Sequence, residues 1–548
     1  MKRIVLVLSL GGALIWGAKV MACTSILVGK KASTDGSVMI SYAADSHTLY
    51  GEMYRWPAAQ WPKGAMLDVV EWDTGKPLGQ IPQVEQTYSV VGNMNEYQLA
   101  ITESTFGGRR ELVDTTGIID YGSLIYITLQ RAKTAREAIQ TMIGLVTEHG
   151  FCSGGESFSI ADKNEVWIME MVGKGAGRKG ALWVAIRIPD DCIAAHANQA
   201  RIQQIPFDDR ENCLYAPDVV SFAREKGYFT GKDDRDFSFA KAYCPYTFSG
   251  LRGCEARVWS VFRKYDPSIE QYKDFIRGDA SKEPMPLYIR PDRKLSVQDV
   301  QHCMRDHYEG TDLDMTGDAG AGPYRVPYRW RPMHFEVDGQ KYLNERAIAT
   351  QQSGFVIVPQ MRNWLPDAVG GILWFATDDA DMTVFNPVYS SSLAVPECYR
   401  EGNGDLYNFS WTAAFWIHNW VANMAYSKYS FMIEDIRKVQ QELENGYRQT
   451  IPVIDKAAIE LYNNNPDEAR KFLTWFSTTT ADQATARWKT LGEYLLVKYI
   501  DGNVKKEENG QFKRSPFGMP EYPDFPGYDE DYYRSIVNSA GDRLKVRD

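Results

Sequence analysis

Over the first third of the chain, short apolar-rich runs separated by polar turn residues make a β-rich pattern and predict β-strands. "CTSILVGK" and "SVMISYAA" read as two strands joined through a turn at Asp35-Gly36. "YSVVGNMNEYQLAITES" reads as a hairpin turning over Asn93 to Tyr97. The pattern then changes. In "SLIYITLQRAKTAREAIQTMIGLVTEHG" the apolar residues recur at helical spacing, as in a helix pair. Thr134 caps the second helix with Glu137 three residues on, and Gly150 ends it. Strands return at "SFSIADK", "EVWIMEMV", "ALWVAIRI" and "CIAAHANQARI". Residues 202–346 mix short helices with loops and carry the least regular pattern. "GFVIVPQMR", "GGILWFAT" and "MTVFNPVY" are again strand-like, and residues 405–501 are mainly helical. The Pro- and Tyr-rich "SPFGMPEYPDFPGYDEDYY" predicts a surface tail without regular structure. No internal repeat is visible. This order predicts an α+β fold of antiparallel sheets packed together under helices, and it excludes the regular alternation of a doubly wound sheet.

The first residues change the picture of where the mature chain begins. Lys2 and Arg3 precede an apolar run from Ile4 to Trp16 that is short for a bilayer span, and Val20-Met21-Ala22 suits a cleavage site before Cys23. The expectation is an exported protein, periplasmic or extracellular, with no transmembrane helix once residues 1–22 are removed. Hydrophobic residues make up 44% and charged residues 24%, enough for a sizeable core. The net charge of −10 comes with no long basic run, which argues against nucleic acid as a partner. Eight cysteines include no CxxC pair, so a zinc ribbon or thioredoxin-like motif is absent. Cys244 and Cys254 are close enough in sequence for a loop-closing disulfide.

Several candidate sites weaken on inspection. His302 and His307 in "HCMRDH" are five apart, one beyond the spacing that shares a helical face. Asp312, Asp314 and Asp318 suggest a calcium loop, but the position of its closing acid is Pro323. "GKGAGRKG" lies between two strands and leads into no helix, as a hairpin loop does. Cys23 keeps three readings: lipid attachment, a buried strand residue, or a nucleophile. Lipidation normally calls for a flexible tether, whereas "TSILVG" enters a strand at once. As residue one, Cys23 would place a thiol beside a free α-amine of pKa roughly 7.7–8.0, so one residue supplies nucleophile and base.

From "CTSILVGKKASTDGS" onward the chain resembles the secernin-related dipeptidases (dipeptidase A type) of the N-terminal-nucleophile, or Ntn, cysteine hydrolases. "NMNEYQLAITEST", "AKTAREAIQTMIGLVTEHG", "SFSIADKNEVWIMEMVG", "RIPDDCIAAHANQARI", "MRDHYEGTDLD", "RAIATQQSGFVIVPQMR" and "NPVY" continue the resemblance in order. It implies a four-layer αββα sandwich over residues 23–400, a helical extension over 401–505 and a tail over 506–548. It also implies hydrolysis of dipeptides through an acyl-enzyme, with no metal or cofactor. By that resemblance Cys23 attacks the carbonyl, Asp45 holds its amine and Asn198 donates to the oxyanion. Arg257 corresponds to a late arginine near the nucleophile. Relatives commonly write Arg-Asn-x-Asp where this chain has Tyr42-Ala43-Ala44-Asp45, so Tyr42 replaces an arginine that would favour the thiolate. Tyr42 and Thr105 are expected to line the substrate, with Arg109 and Arg110 as anchors for its carboxylate. Two alternatives stay open: an acylase or amidase acting on non-peptide amides, and a lipid-anchored protein that binds peptide or glycan without cleaving it. Homo-oligomerisation also stays open.

Overall fold

A computed structural model of the chain describes residues 23–546. The predicted leader, residues 1–22, lies outside the described residues.

Two large antiparallel sheets organise the molecule. The first runs in the order Tyr288–Ile289, Ile193–His196, Ser25–Val28, Val38–Ile40, Ser353–Met361, Gly371–Thr377, Asn386–Tyr389, with Tyr42–Asp45 also paired on Ser353–Met361. The second runs Cys213–Tyr215, Ala181–Ile188, Val166–Gly173, Gly155–Ala161, Ala100–Gly107, Met94–Asn95, Val90–Val91, Arg55–Trp56. The two-residue pleat of the strands sorts successive side chains between two cores. Leu27, Val38 and Ile40 share one hydrophobic cluster with Ile101, Phe158 and Ile168 of the second sheet. Ile26, Val28 and Met39 belong to the other, with Trp259, Ile436 and Trp488 from helices. Polar cross-links join the sheets as well: Thr102 Oγ1 donates to the Ser41 carbonyl at 3.3 Å, and Ser25 Oγ donates to the Glu103 carbonyl at 3.3 Å.

The helix pair forms as its spacing predicts, over Tyr121–Leu129 and Ala135–His149, burying Leu124, Ile139 and Met142 in the second sheet's cluster. Thr134 Oγ1 accepts the Glu137 amide at 3.2 Å, and Glu137 reaches back to the Lys133 amide at 2.8 Å. Helices Ala414–Ala425, Tyr429–Asn464 and Pro466–Tyr499 build the C-terminal region. Asn465 alone separates the last two, capping the second, which starts on Pro466 where a missing N–H costs nothing.

Three features differ from the sequence expectation. The "YSVVGNMNEYQLAITES" segment makes two successive turns, because Val90–Val91 pairs with Met94–Asn95 before Met94 pairs with Ala100. Gly92 and Gln98 take the positive φ that these tight turns require, at 53° and 64°. The tail is not wholly irregular: an eleven-residue helix covers Glu530–Ala540, started by Asp529 accepting the Tyr532 amide at 2.9 Å. Cys244 and Cys254 are free thiols, as are the other described cysteines. Burial holds Cys244, whose Sγ receives Gln199 Nε2 at 3.2 Å.

Candidate active site

Cys23 sits just ahead of the Ser25–Val28 strand and is fully buried. The Thr24 carbonyl accepts the Ala43 amide at 2.9 Å, which fixes Cys23 beside the Tyr42–Asp45 strand. Its Sγ lies 3.5 Å from Glu103 Oε1 and 3.9 Å from the Tyr42 hydroxyl. Tyr42 donates to the same Glu103 oxygen, so thiol, phenol and carboxyl converge on one point. Burial pushes the Cys23 thiol well above its ordinary pKa, and the charges of Glu103 and Asp45 add to that.

The strand Ile193–His196 pairs with Ser25–Val28, Ser25 opposite His196, and so carries the following residues to the nucleophile's flank. Asn198 there adopts φ 62°, a left-handed backbone that asparagine tolerates. Arg257 ties the two segments together. One guanidinium nitrogen donates to the Cys23 carbonyl at 2.7 Å and to Thr24 Oγ1 at 2.8 Å; the other donates to the Ala197 carbonyl at 3.1 Å and to Asn198 Oδ1 at 3.0 Å. A planar five-donor fork suits four acceptors in fixed directions, which a lysine could not serve. Asn198 Nδ2 donates to the Thr105 carbonyl at 2.7 Å, which leaves its second hydrogen free to point elsewhere. Arg257 itself emerges from a π-helical turn, Leu251–Glu255, that feeds helix Ala256–Phe262. Such turns widen the backbone and re-aim side chains.

Asp45 is fully buried and accepts from Arg346 and from Ser353 Oγ. Arg346 comes from the loop before the Ser353–Met361 strand, more than three hundred positions away, so local sequence carried no sign of the pair.

Glu103 does not stand alone. In the pairing of Ala100–Gly107 with Gly155–Ala161, Thr105 faces Glu156 and Glu103 faces Phe158. All four therefore share a sheet face, with the two acids diagonal to each other. Thr105 Oγ1 donates to Glu156 Oε1 at 2.9 Å. The two carboxyls lie within hydrogen-bonding reach of one another, and burial raises Glu103 to about 7 and Glu156 well above its usual range. Beside them opens a cavity of about 420 Å³. Tyr42, Tyr121, Tyr126, Trp72 and Asp73 are among its lining residues. Its volume lies in the range of small-ligand sites, roughly 300–1,000 Å³.

The structure thus brings Cys23, Tyr42, Asp45, Asn198, Thr105 and Arg257 of the expected site into one region. Arg109 and Arg110 stand apart from this network. Arg109 Nε donates to the Ala242 carbonyl at 2.7 Å and its guanidinium stacks 3.9 Å over the Tyr228 ring, while Arg110 is exposed. Sequence reasoning missed Glu103, Glu156, Arg346 and Ser353. The one signal for the first was an acid in mid-strand, at the centre of "AITESTF". The weaker candidates have protein partners: His307 Nδ1 faces Glu309 at 3.1 Å, Asp312 pairs with Arg277 and Lys273, and Asp318 pairs with Arg329.

The family model of peptidase family C69 matches residues 22–55 and 52–442, which includes every residue of this network. The chain belongs to peptidase family C69. The chain is 27% identical to a probable dipeptidase of Latilactobacillus sakei over 475 residues, covering 83% of this chain and 90% of that one. It is 24% identical to dipeptidase A of Lactobacillus helveticus over 448 residues (78% and 85%), and 25% identical to a dipeptidase of Bifidobacterium longum over 414 residues (69% and 72%). The protein is therefore an enzyme of a cysteine-type dipeptidase family, as its resemblance implied. Among the described residues, no helix is long and apolar enough to cross a membrane.

Proposed function

We propose that this C69 member is an exported dipeptidase whose mature chain begins at Cys23 and whose two sheets form the inner layers of an Ntn-hydrolase sandwich. The observation that carries the reading is the Arg257 clamp. One side chain grips both the Cys23 carbonyl and Asn198, the two residues that must stay in register if one attacks a carbonyl and the other steadies its oxyanion.

In this reading the freed α-amine of Cys23, not the fully buried thiol, starts as the active base. The raised thiol pKa fits such a scheme, because the proton leaves only as the bond to the substrate carbonyl forms. The amine takes the thiol proton while Sγ attacks. Asn198 Nδ2 donates its second hydrogen to the carbonyl oxygen, and the amine returns the proton to the departing amino acid. Water then attacks the thioester, giving its proton to the same amine, which passes it to the departing thiolate as the first amino acid is released. Asp45 orients the amine and is itself held by Arg346 and Ser353. Arg346 thus brings to Asp45 a cation that Tyr42 does not provide.

Intact mass and N-terminal sequencing, joined to a panel of dipeptides and acyl-amides, test the proposal. A free Cys23 at residue one, turnover of dipeptides, and loss of nearly all turnover in Cys23→Ser are expected. Near-wild-type hydrolysis by Cys23→Ser would sink the mechanism; a preference for acyl-amides would make the enzyme an amidase. An acylated Cys23 amine would instead favour the lipid-anchored binding protein.

A further inference from the structure

Elsewhere among the described residues, the buried carboxyls meet a cation or an N–H donor, as Glu170 does with the Arg201 and Ile202 amides. Asp45 meets Arg346, Glu255 meets Arg201, Asp306 meets Lys264 and Asp455 meets Arg362. Glu103 and Glu156 break the pattern. Each is buried, at 0% and 1% exposure, and neither has an ion-pair partner among the described residues. Glu103 Oε1 receives only hydroxyl and thiol, Glu156 Oε1 only Thr105, and the Oε2 atoms of both acids receive no N–H or hydroxyl among the described residues. Burying an uncompensated carboxylate is costly, so the site is built for a positive charge that no lysine, arginine or histidine side chain among the described residues supplies.

The adjoining cavity has the same bias. Glu52, Glu71 and Asp73 line it, with the aromatic faces of Tyr54, Trp72 and Tyr126, and no lysine, arginine or histidine is among its lining residues. Acids with aromatic faces are the surroundings an ammonium ion prefers. They are the wrong surroundings for a carboxylate.

Distance identifies which ammonium. In a peptide with a free N-terminus, the α-nitrogen is two bonds from the first carbonyl carbon. When that carbon stands in attacking range of a thiol, roughly 3–3.5 Å away, the ammonium must lie within a few ångströms of the sulfur. Glu103 Oε1 lies 3.5 Å from Cys23 Sγ. We propose that Glu103, backed by Glu156, is the receptor for the α-ammonium group of the substrate, and so restricts this enzyme to cleaving after a free N-terminal residue. The inference rests on the dipeptidase reading above and names the residues that would enforce it. Charge balances. Two facing carboxyls share one proton when empty and carry one net negative charge, which a single ammonium neutralises. Thr105 fixes Glu156, and Tyr42 fixes Glu103, so both expected substrate-lining residues act through this pair.

The test compares alanyl-alanine with propionyl-alanine, which differs only by the missing amine, using the full mature chain. Wild type should favour the free amine by about 10⁴-fold in kcat/KM, because loss of the amine leaves buried polar groups unpaired. In Glu103→Gln the preference for alanyl-alanine over propionyl-alanine should fall by roughly a hundredfold or more. Equal rates of the wild-type enzyme on both compounds would overturn the proposal without any variant. So would an equal fall on both in Glu103→Gln, which would show that Glu103 serves Cys23 or the fold and not the substrate. Calorimetry on the Cys23→Ser chain reads the same preference without turnover. Tight binding of alanyl-alanine alone there would uphold the receptor even if the wild-type enzyme cleaved neither compound, an outcome that would sink only the dipeptidase reading. Equal binding of both compounds would overturn the receptor.

Discussion

At the scale of single residues, the site separates groups that position from a group that is poised. Arg257 positions. Replacing it with lysine keeps a charge but cannot reach four acceptors, so Cys23 and Asn198 drift relative to each other. Arg257→Lys should fold, with kcat down about a hundredfold and KM little changed, since small misplacements near the chemistry cost that much. Steady-state kinetics beside a thermal melt checks it, and an unchanged kcat would remove Arg257 from the positioning network. Glu103 is poised, and its state should be visible in stability. Burial lifts its carboxyl to about 7, above the usual 4.5. A raised acid binds its proton more tightly in the folded state, so folding loses stability as pH rises from 4.5 to 7 and the loss is complete above that. Glu103→Gln removes the penalty. Its melting temperature should exceed wild type at pH 7.5, and the gap should shrink as pH falls toward 4.5. A gap that stayed constant or widened on acidification would mean that Glu103 is not protonated in that range. Activity lost and stability gained by one substitution is the pattern expected where a site stores strain for its ligand.

At the scale of elements, what the sequence made legible was pattern, and what it hid was partnership. Ser25–Val28, Gly155–Ala161, Val166–Gly173 and Ala181–Ile188 announced themselves as short apolar-rich runs bounded by turn residues, and Thr134 announced a helix start. Cys23, Asp45, Asn198 and Arg257 could be named because a family order placed them. Arg346 and Glu156 could not, because nothing local marks a loop arginine or a strand glutamate as one half of a pair closed by topology. The wall of the cavity was hidden for the same reason. The hairpin Met66–Val70 and Pro77–Pro82 carries Trp72 and Asp73 on its turn and presses them onto helix Tyr121–Leu129. Gly122 is the point of contact: a Cβ there would lie 2.4 Å from Trp72 Cβ and 2.5 Å from its Cγ. Gly122→Ala must push the hairpin outward. The expected result is a several-fold rise in KM for dipeptides with kcat nearly kept, since Trp72 lines the cavity while Cys23 is anchored elsewhere. A fall in kcat at constant KM would show instead that the hairpin holds the catalytic groups.

At the scale of the whole molecule, the helical C-terminal region is not an appendage on the sheets. Ile436, Leu473 and Trp488 lie in the same hydrophobic cluster as Val356 and Val358 of the first sheet. Buried polar bonds stitch the same boundary: Arg362, just past the Ser353–Met361 strand, pairs with Asp455 of helix Tyr429–Asn464, and the Tyr389 hydroxyl donates to that aspartate at 2.6 Å. Arg305 pairs with Glu444 of the same helix. Removing one partner strands a buried charge, which costs about 3–5 kcal/mol. Asp455→Ala should therefore lower the melting temperature of the entire chain in one step, not release the helices while the sheets persist. Scanning calorimetry should show a single transition for wild type and variant alike. Two separated transitions, with hydrolysis surviving the first, would mean that the sheets carry the site on their own. The single transition is the stronger expectation because the first sheet has an inner face on the second sheet and an outer face on these helices. Losing either cover exposes the strands that hold Cys23 and Asp45, so site and extension stand or fall together.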